Sequence, residues 1–284
     1  MAARDFIHGL RAMGFTGPTC MLIGFFDGTA SPNTEPKVTG VAGCLFDDAG
    51  IEKFRQGWAD IGAEFKREFG LDVGYFHATH CCGDRTGHRH YHKWESPHRQ
   101  RLCRDVATLV GRTRRAAFVS TCDQADYDAI ATSNPAIAAH IGGSYPATVM
   151  TCLERVGWFA KQRGEKVEYV FEKGDLHQAT ADSILNKVRD NPHLRDRYAY
   201  ALHTILPKCD DDYSIPLIAA DILAWECRSD FSEILKAERN GTDAGNWTPN
   251  FLLVRGDDET YFEQHLGQGG LEARALINAV HGLN

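Results

Sequence analysis

Residues 19–31, TCMLIGFFDGTAS, decide the fold. Residues 19–26 are apolar and bounded by a turn-forming stretch, the pattern of a strand buried on both faces. The run ends on Asp27, and residues 28–37 are rich in turn formers. A second apolar run, Val38 to Phe46, follows and is closed by Asp47-Asp48-Ala49-Gly50, read as a turn. Two such runs joined by a short polar connection predict an antiparallel pair. An acid therefore stands where the first buried strand meets solvent.

Beyond Gly50 the pattern changes period. Ile51, Phe54, Trp58, Ile61, Phe65 and Phe69 recur every three or four residues, which predicts an amphipathic helix. Gly74 to Ala78 reads as a short strand. Ser96-Pro97 has the form of an N-cap and first helical residue, opening a helix with Leu102, Val106, Leu109 and Val110 inward. Ala116 to Cys122 is a strand, and Tyr145 to Arg163 is a long helix stopped by Gly164. Lys166 to Phe171 is a strand ending at Glu172. Asp175 and Gln178 have capping-box spacing for the helix that carries Ile184, Leu185 and Val188. Tyr198 to Leu206 is the last strand, Ile215 to Trp225 a very apolar helix, and 259–266 and 271–281 are expected to be helical. Early strands connect directly and later ones alternate with helices. That order predicts an α/β fold, a mixed sheet with helices on its faces. The expected organisation is one domain over 1–230, with a helical and His-rich insert at about 51–112. A C-terminal helical extension over 231–284 is expected to pack on the same domain.

The chain of 284 residues is 43% hydrophobic and 24% charged, an ordinary globular balance. No run approaches the roughly 20 apolar residues of a membrane helix. The first fifteen residues lack a long apolar stretch and a small-residue cleavage site, so a cytoplasmic location is expected. The nine cysteines are odd in number and form no CxxC pair, which favours reduced thiols over a disulfide framework. The net charge of -7 argues against broad electrostatic attraction to nucleic acid. Between Arg85 and Arg115, however, nine Lys or Arg face only Glu95 and Asp105. A local basic strip of this kind can track phosphates, and a solvated helix face is its bland alternative.

Three acids stand out by position. Asp27 closes the first strand, Glu172 closes the strand that begins at Lys166, and Asp221 is the only charged residue from Ile215 to Trp225. An unpaired buried carboxylate is costly, so each must pair with a cation, accept hydrogen bonds or become neutral. A shared divalent ion satisfies all three, and hard oxygen donors suit Mg2+ or Mn2+. Read singly, Asp27 is a turn residue beside Gly28, Glu172 a solvated strand end and Asp221 one half of an ion pair.

The order of elements, with acids on the first strand, on the strand ending at Glu172 and on a late helix, resembles the RNase H-like superfamily. More closely, the chain resembles the family catalogued as domain of unknown function 3800. The stretches that carry the resemblance are LIGFFDGTAS, YFHATH and LIAADILAWE, spread over about residues 19–230. Three departures are visible. Gly28-Thr29 follow the first acid where Glu or Ser and then Gly are usual. Leu217-Ile218-Ala219 stand where a Gln commonly precedes the Ala-Asp pair. Glu172 holds a place more often taken by Asp. The resemblance implies a metal-dependent phosphodiester hydrolase, a nuclease or phosphoryl-transfer enzyme acting on DNA or RNA. Asp27 would bridge two ions, Glu172 and Asp221 would each hold one, and His77 would orient water or the scissile phosphate. The alternative in a different class is a catalytically silent metal- or nucleic-acid-binding module.

Asp123, at a strand end, is a candidate fourth ligand. Asp175 reads as a helix cap, and Glu226 lies five residues beyond Asp221, off its helix face. HATHCCGDRTGHRHYH gathers His77, His80, Cys81, Cys82, His88, His90 and His92 within sixteen residues. Zinc accepts such donors, but the usual ligand spacing is missing, and a cationic surface loop is the simpler reading. Two rival enzyme classes lack their required residues. FFDGT has Phe25 where a haloacid dehalogenase-type phosphatase needs its nucleophilic Asp, and Gly142-Gly143-Ser144 is a meagre phosphate loop for an ATPase.

Overall fold

The computed structural model describes residues 21–30, 35–82, 91, 93–173, 177–207, 213–242 and 261–266. Strand β1 (Met21–Ala30) pairs antiparallel with β2 (Val38–Phe46), as the sequence predicts. Helix α1 (Asp48–Phe69) begins earlier than expected, because Asp47 is its N-cap and not a turn residue. Its side chain accepts a 2.7 Å hydrogen bond from the Gly50 N–H, satisfying one of the unpaired amides of the first turn. Gly70, at φ 68°, ends the helix in the left-handed conformation that glycine adopts without strain. Residues 74–77 are irregular and not a strand, and the chain there seats Phe76 fully buried beside Trp58. The single turn α2 (Ala78–Cys81) follows, then α3 (Ser96–Thr113), whose N-cap is Glu95, one residue before the expected Ser96.

Strand β3 (Ala116–Asp123) pairs antiparallel with β2. Two helices that no strong periodicity announces, α4 (Gln124–Ser133) and α5 (Pro135–Ile141), lead into α6 (Ser144–Lys161). Gly164 lies in the left-handed region at φ 66° just past its end. Strand β4 (Lys166–Lys173) is followed by α7 (Gln178–Asp190), α8 (Pro192–Arg197) and β5 (Tyr200–Pro207). The described part of α7 opens at Gln178 with His177 as its cap position, and Asp175 lies outside the described residues.

Helix α9 (Leu217–Arg239) does not stop near Trp225. Cys227, Phe231 and Leu235 continue its buried stripe, so the apolar contact that stabilises the helix carries on across residue 230. The expected helix at 259–266 is replaced by β6 (Tyr261–Leu266), which pairs parallel with β3. Helix α9 spans the expected boundary at 230, and β6 belongs to the sheet. The expected helix at 271–281 lies outside the described residues.

The six strands form one mixed sheet in the order β5-β4-β1-β2-β3-β6. Strands β4 and β5 run parallel to β1. Alternation along β1 sends Ile23 and Phe25 into a core shared with α1, α3 and α9, and Leu22 and Phe26 into a second core shared with α6 and α7. The second core is held closely at Phe26. Its ring stacks on Tyr169 at 5.6 Å and Phe171 at 5.1 Å and lies over Gly43, where an added Cβ would meet it at 2.1 Å. Among the described residues no helix is long and apolar enough to cross a membrane.

Candidate metal centre

Strand register places two of the three acids. The parallel β1–β4 ladder ends at Phe26 and Phe171, and Asp27 and Glu172 are the next residue of each strand. Asp27 shares the face of Ile23 and Phe25, and Glu172 shares the face of Val170. This is the face that α9 covers with Leu217, Ile218 and Ile222. Asp27 does not close β1, which runs on to Ala30: it lies inside the ladder opposite Ala42 and is 6% exposed, whereas Glu172 is half-buried.

Asp221 comes from α9 and is 4% exposed. Its Oδ2 accepts a 2.7 Å hydrogen bond from the Ala78 N–H, the first amide of α2, and lies 3.7 Å from Nδ1 of His77. The His77 ring in turn lies against His80, with centroids 4.0 Å apart. His77 is thus placed beside Asp221 by an irregular stretch and a single helical turn.

The oxygens of Asp27, Glu172 and Asp221 are not gathered within 4.8 Å of one another. Direct ligands of one octahedral Mg2+ span at most about 4 Å. A single ion held by all three acids is therefore not what the side-chain positions favour. A pair of ions bridged by Asp27 sets no such limit on the distance from Glu172 to Asp221. The donor set, oxygens only on one face of the sheet, fits hard divalent ions.

Asp123 is otherwise engaged. Its side chain accepts from the Ala125 N–H at 3.1 Å as the cap of α4 and forms a 2.5 Å bond with Arg239 of α9. It pins α9 to β3 and is not a spare ligand. Glu226 and Asp230 are both buried on α9, at 0% and 1% exposure. The helix thus carries three buried acids where the sequence singled out Asp221.

Glu168 is the residue sequence reasoning missed. It lies on β4 four residues before Glu172, on the same face, and is 0% exposed. Thr204 donates to its Oε1 at 3.1 Å and the Tyr213 hydroxyl at 3.4 Å, while its buried Oε2 has no hydrogen-bond partner among the described residues. Burial pushes its carboxyl up to about 7, with those two hydrogen bonds opposing. The signal was present in KVEYVF, where Glu168 takes a position that alternation assigns to the core.

The basic strip is partly neutralised. Arg101 bonds Glu68 at 2.7 Å, also pairs with Glu64 and Asp105, and lies over the rings of Phe65 and Phe69. Arg115 is paired with Asp47 at 2.8 Å, and Arg114 is 8% exposed. Lys93, Arg104 and Arg112 remain exposed, whereas Arg85 and Arg89 lie outside the described residues.

The cysteines depart from the expectation of reduced thiols alone. Cys82 and Cys103 are joined in a disulfide between the end of α2 and α3. Cys44, Cys81, Cys122, Cys152 and Cys227 are buried thiols, and Cys20 and Cys209 lie outside the described residues. The pairing follows from packing of α2 on α3, which sequence spacing does not reveal.

No family model matches the chain, and none of the curated proteins matches it.

Proposed function

We propose that the protein is a divalent-metal-dependent phosphodiester hydrolase with an RNase H-like core, acting on nucleic acid. The observation that carries the reading is that Asp27 and Glu172 stand on the face of the sheet that α9, the helix of Asp221, covers, with His77 beside Asp221. The fold reading is supported by the sheet. Strands β1, β2 and β3 form an antiparallel run, and β4 and β5 extend it in parallel from β1. The acids then lie on the first strand, the fourth strand and the late helix, the placement the resemblance implies.

Asp27, Glu172 and Asp221 would be the residues that hold Mg2+ or Mn2+. When bound, such ions lower the pKa of coordinated water and offset the charge that grows on the phosphoryl oxygens. The protein's own residues supply the rest. The Ala78 N–H holds one oxygen of Asp221, which orients its carboxylate. His77, partly exposed beside it, is placed to orient water or a phosphate oxygen. Lys93, Arg104 and Arg112 supply exposed positive charge for a polyanion.

The reading is tested with labelled single- and double-stranded DNA and RNA oligonucleotides, incubated with Mg2+, Mn2+ or a chelator. Cleavage should require the ion and disappear in Asp27→Asn. Cleavage that persists in the chelator, or is unchanged in Asp27→Asn, contradicts the proposal.

A further inference from the structure

Between α1 and α3 the chain runs from residue 70 to 95 with a single turn of helix, α2, as its regular element among the described residues. Residues 70–82 hold that one turn as their regular element, and it carries Ala78 against Asp221. Three sulfurs meet at the end of that turn. The Sγ atoms of Cys81, Cys82 and Cys103 all lie within 4.8 Å of one another, and those of Cys81 and Cys103 are 3.6 Å apart. A disulfide uses two of them. The third, Cys81, is 1% exposed and has its thiol directed to the Arg99 carbonyl at 3.7 Å.

We propose that in the reduced protein Cys81, Cys82 and Cys103 bind a thiophilic d10 metal ion of the zinc class, distinct from the hard-ion site of the acids. Sulfur ligands of a tetrahedral zinc ion, at about 2.3 Å from the metal, stand roughly 3.8 Å from one another. The separation of Cys81 and Cys103 already matches that value. Adjacent cysteines are awkward ligands in an ordinary helix, but Cys81 and Cys82 occupy the end of a single turn, and both side chains reach Cys103. Three thiolates leave the fourth tetrahedral position for water. Burial and the Asp221 charge push the Cys81 thiol up and the Arg99 charge opposes them, so the thiolate depends on the metal for its stabilisation. Bound metal would clamp α2 to α3, which is the restraint that the covalent bond gives in the oxidised chain. Carboxylates play no part in the set, so Mg2+ and Mn2+ would not compete for it.

The test uses the full chain reduced with a water-soluble phosphine. The disulfide gains two electrons and two protons, the phosphine becomes its oxide with oxygen from water, and excess reagent is removed without air. Cadmium ion is then titrated and the thiolate-to-cadmium charge-transfer absorption is followed. The expected result is a band that saturates at one equivalent, is absent in the unreduced protein and is lost in Cys103→Ser and Cys81→Ser. Bound cadmium should also protect the half-exposed Cys82 of the wild type from iodoacetamide, a readout that needs no variant to fold. The Asp27→Asn, Asp221→Asn variant should bind cadmium with the same stoichiometry, so failure of the acid site and failure of the sulfur site are distinguishable. A reduced wild type with neither a band nor protection of Cys82 overturns the proposal, as does a band unchanged in well-folded Cys103→Ser.

Discussion

Replacing Glu168 by Gln should change how stability depends on pH, because burial raises its carboxyl. The folded carboxyl titrates near 7 because burial disfavours its charge, against an ordinary value of 4.5. Between those values the native state holds a proton that the unfolded chain has released. Wild-type stability from this group is therefore fully present below about 4.5 and is lost as pH rises towards 7. Each unit of difference is worth about 1.4 kcal/mol, so the whole effect is about 3 kcal/mol. Glutamine keeps a carbonyl oxygen to accept from Thr204 and Tyr213 and carries no charge at any pH. Urea unfolding at pH 5, 6, 7 and 8 measures the difference. The two proteins should be closest at pH 5, and the variant should be more stable by up to about 3 kcal/mol at pH 8. Curves that stay parallel over that range would show that Glu168 is charged in the native state at neutral pH, and the burial argument would fail.

Gly43→Ala should destabilise by about 1–3 kcal/mol, because the new methyl collides with the buried Phe26 ring, itself held between Tyr169 and Phe171. An unchanged urea midpoint would mean that this core has slack. Asp47→Ala removes the cap of α1 and should cost about 1 kcal/mol. Little of that should vanish in high salt, since the half-exposed pair with Arg115 contributes only weakly. Asp221→Asn should leave the metal-free protein folded with no loss of thermal stability, because its amide oxygen still accepts from Ala78. A fall of several degrees in Tm would instead assign Asp221 a structural ion pair.

Local pattern carries the elements whose burial is two-sided or strongly amphipathic. The apolar runs of β1 and β2 and the three-to-four spacing from Ile51 to Phe69 lead directly to the observed strands and helix. Strand β6 fails because YFEQHL sits at a sheet edge, half-buried, and owes its conformation to pairing with β3. The stretch from Gly74 to Ala78 fails for the opposite reason: Phe76 is buried by packing on Trp58, with no ladder of hydrogen bonds beneath it. Asp27 and Asp221 stand out in the sequence because an acid in an apolar run has no local explanation. Glu168 meets the same criterion from inside its strand, where the eye goes first to Glu172 near the strand end. The proximity of Cys103 to Cys81 and Cys82 depends on how α3 packs on α2, a contact that separations of 21 and 22 residues do not specify.

The central claim is that Asp27 and Asp221 belong to one hard-ion site. Calorimetric titration of the protein with Mn2+, beside the Asp27→Asn, Asp221→Asn variant, tests it most directly. The account predicts binding by the wild type that vanishes in a folded variant. Equal binding by both proteins, or none by the wild type even with an oligonucleotide present, would contradict it.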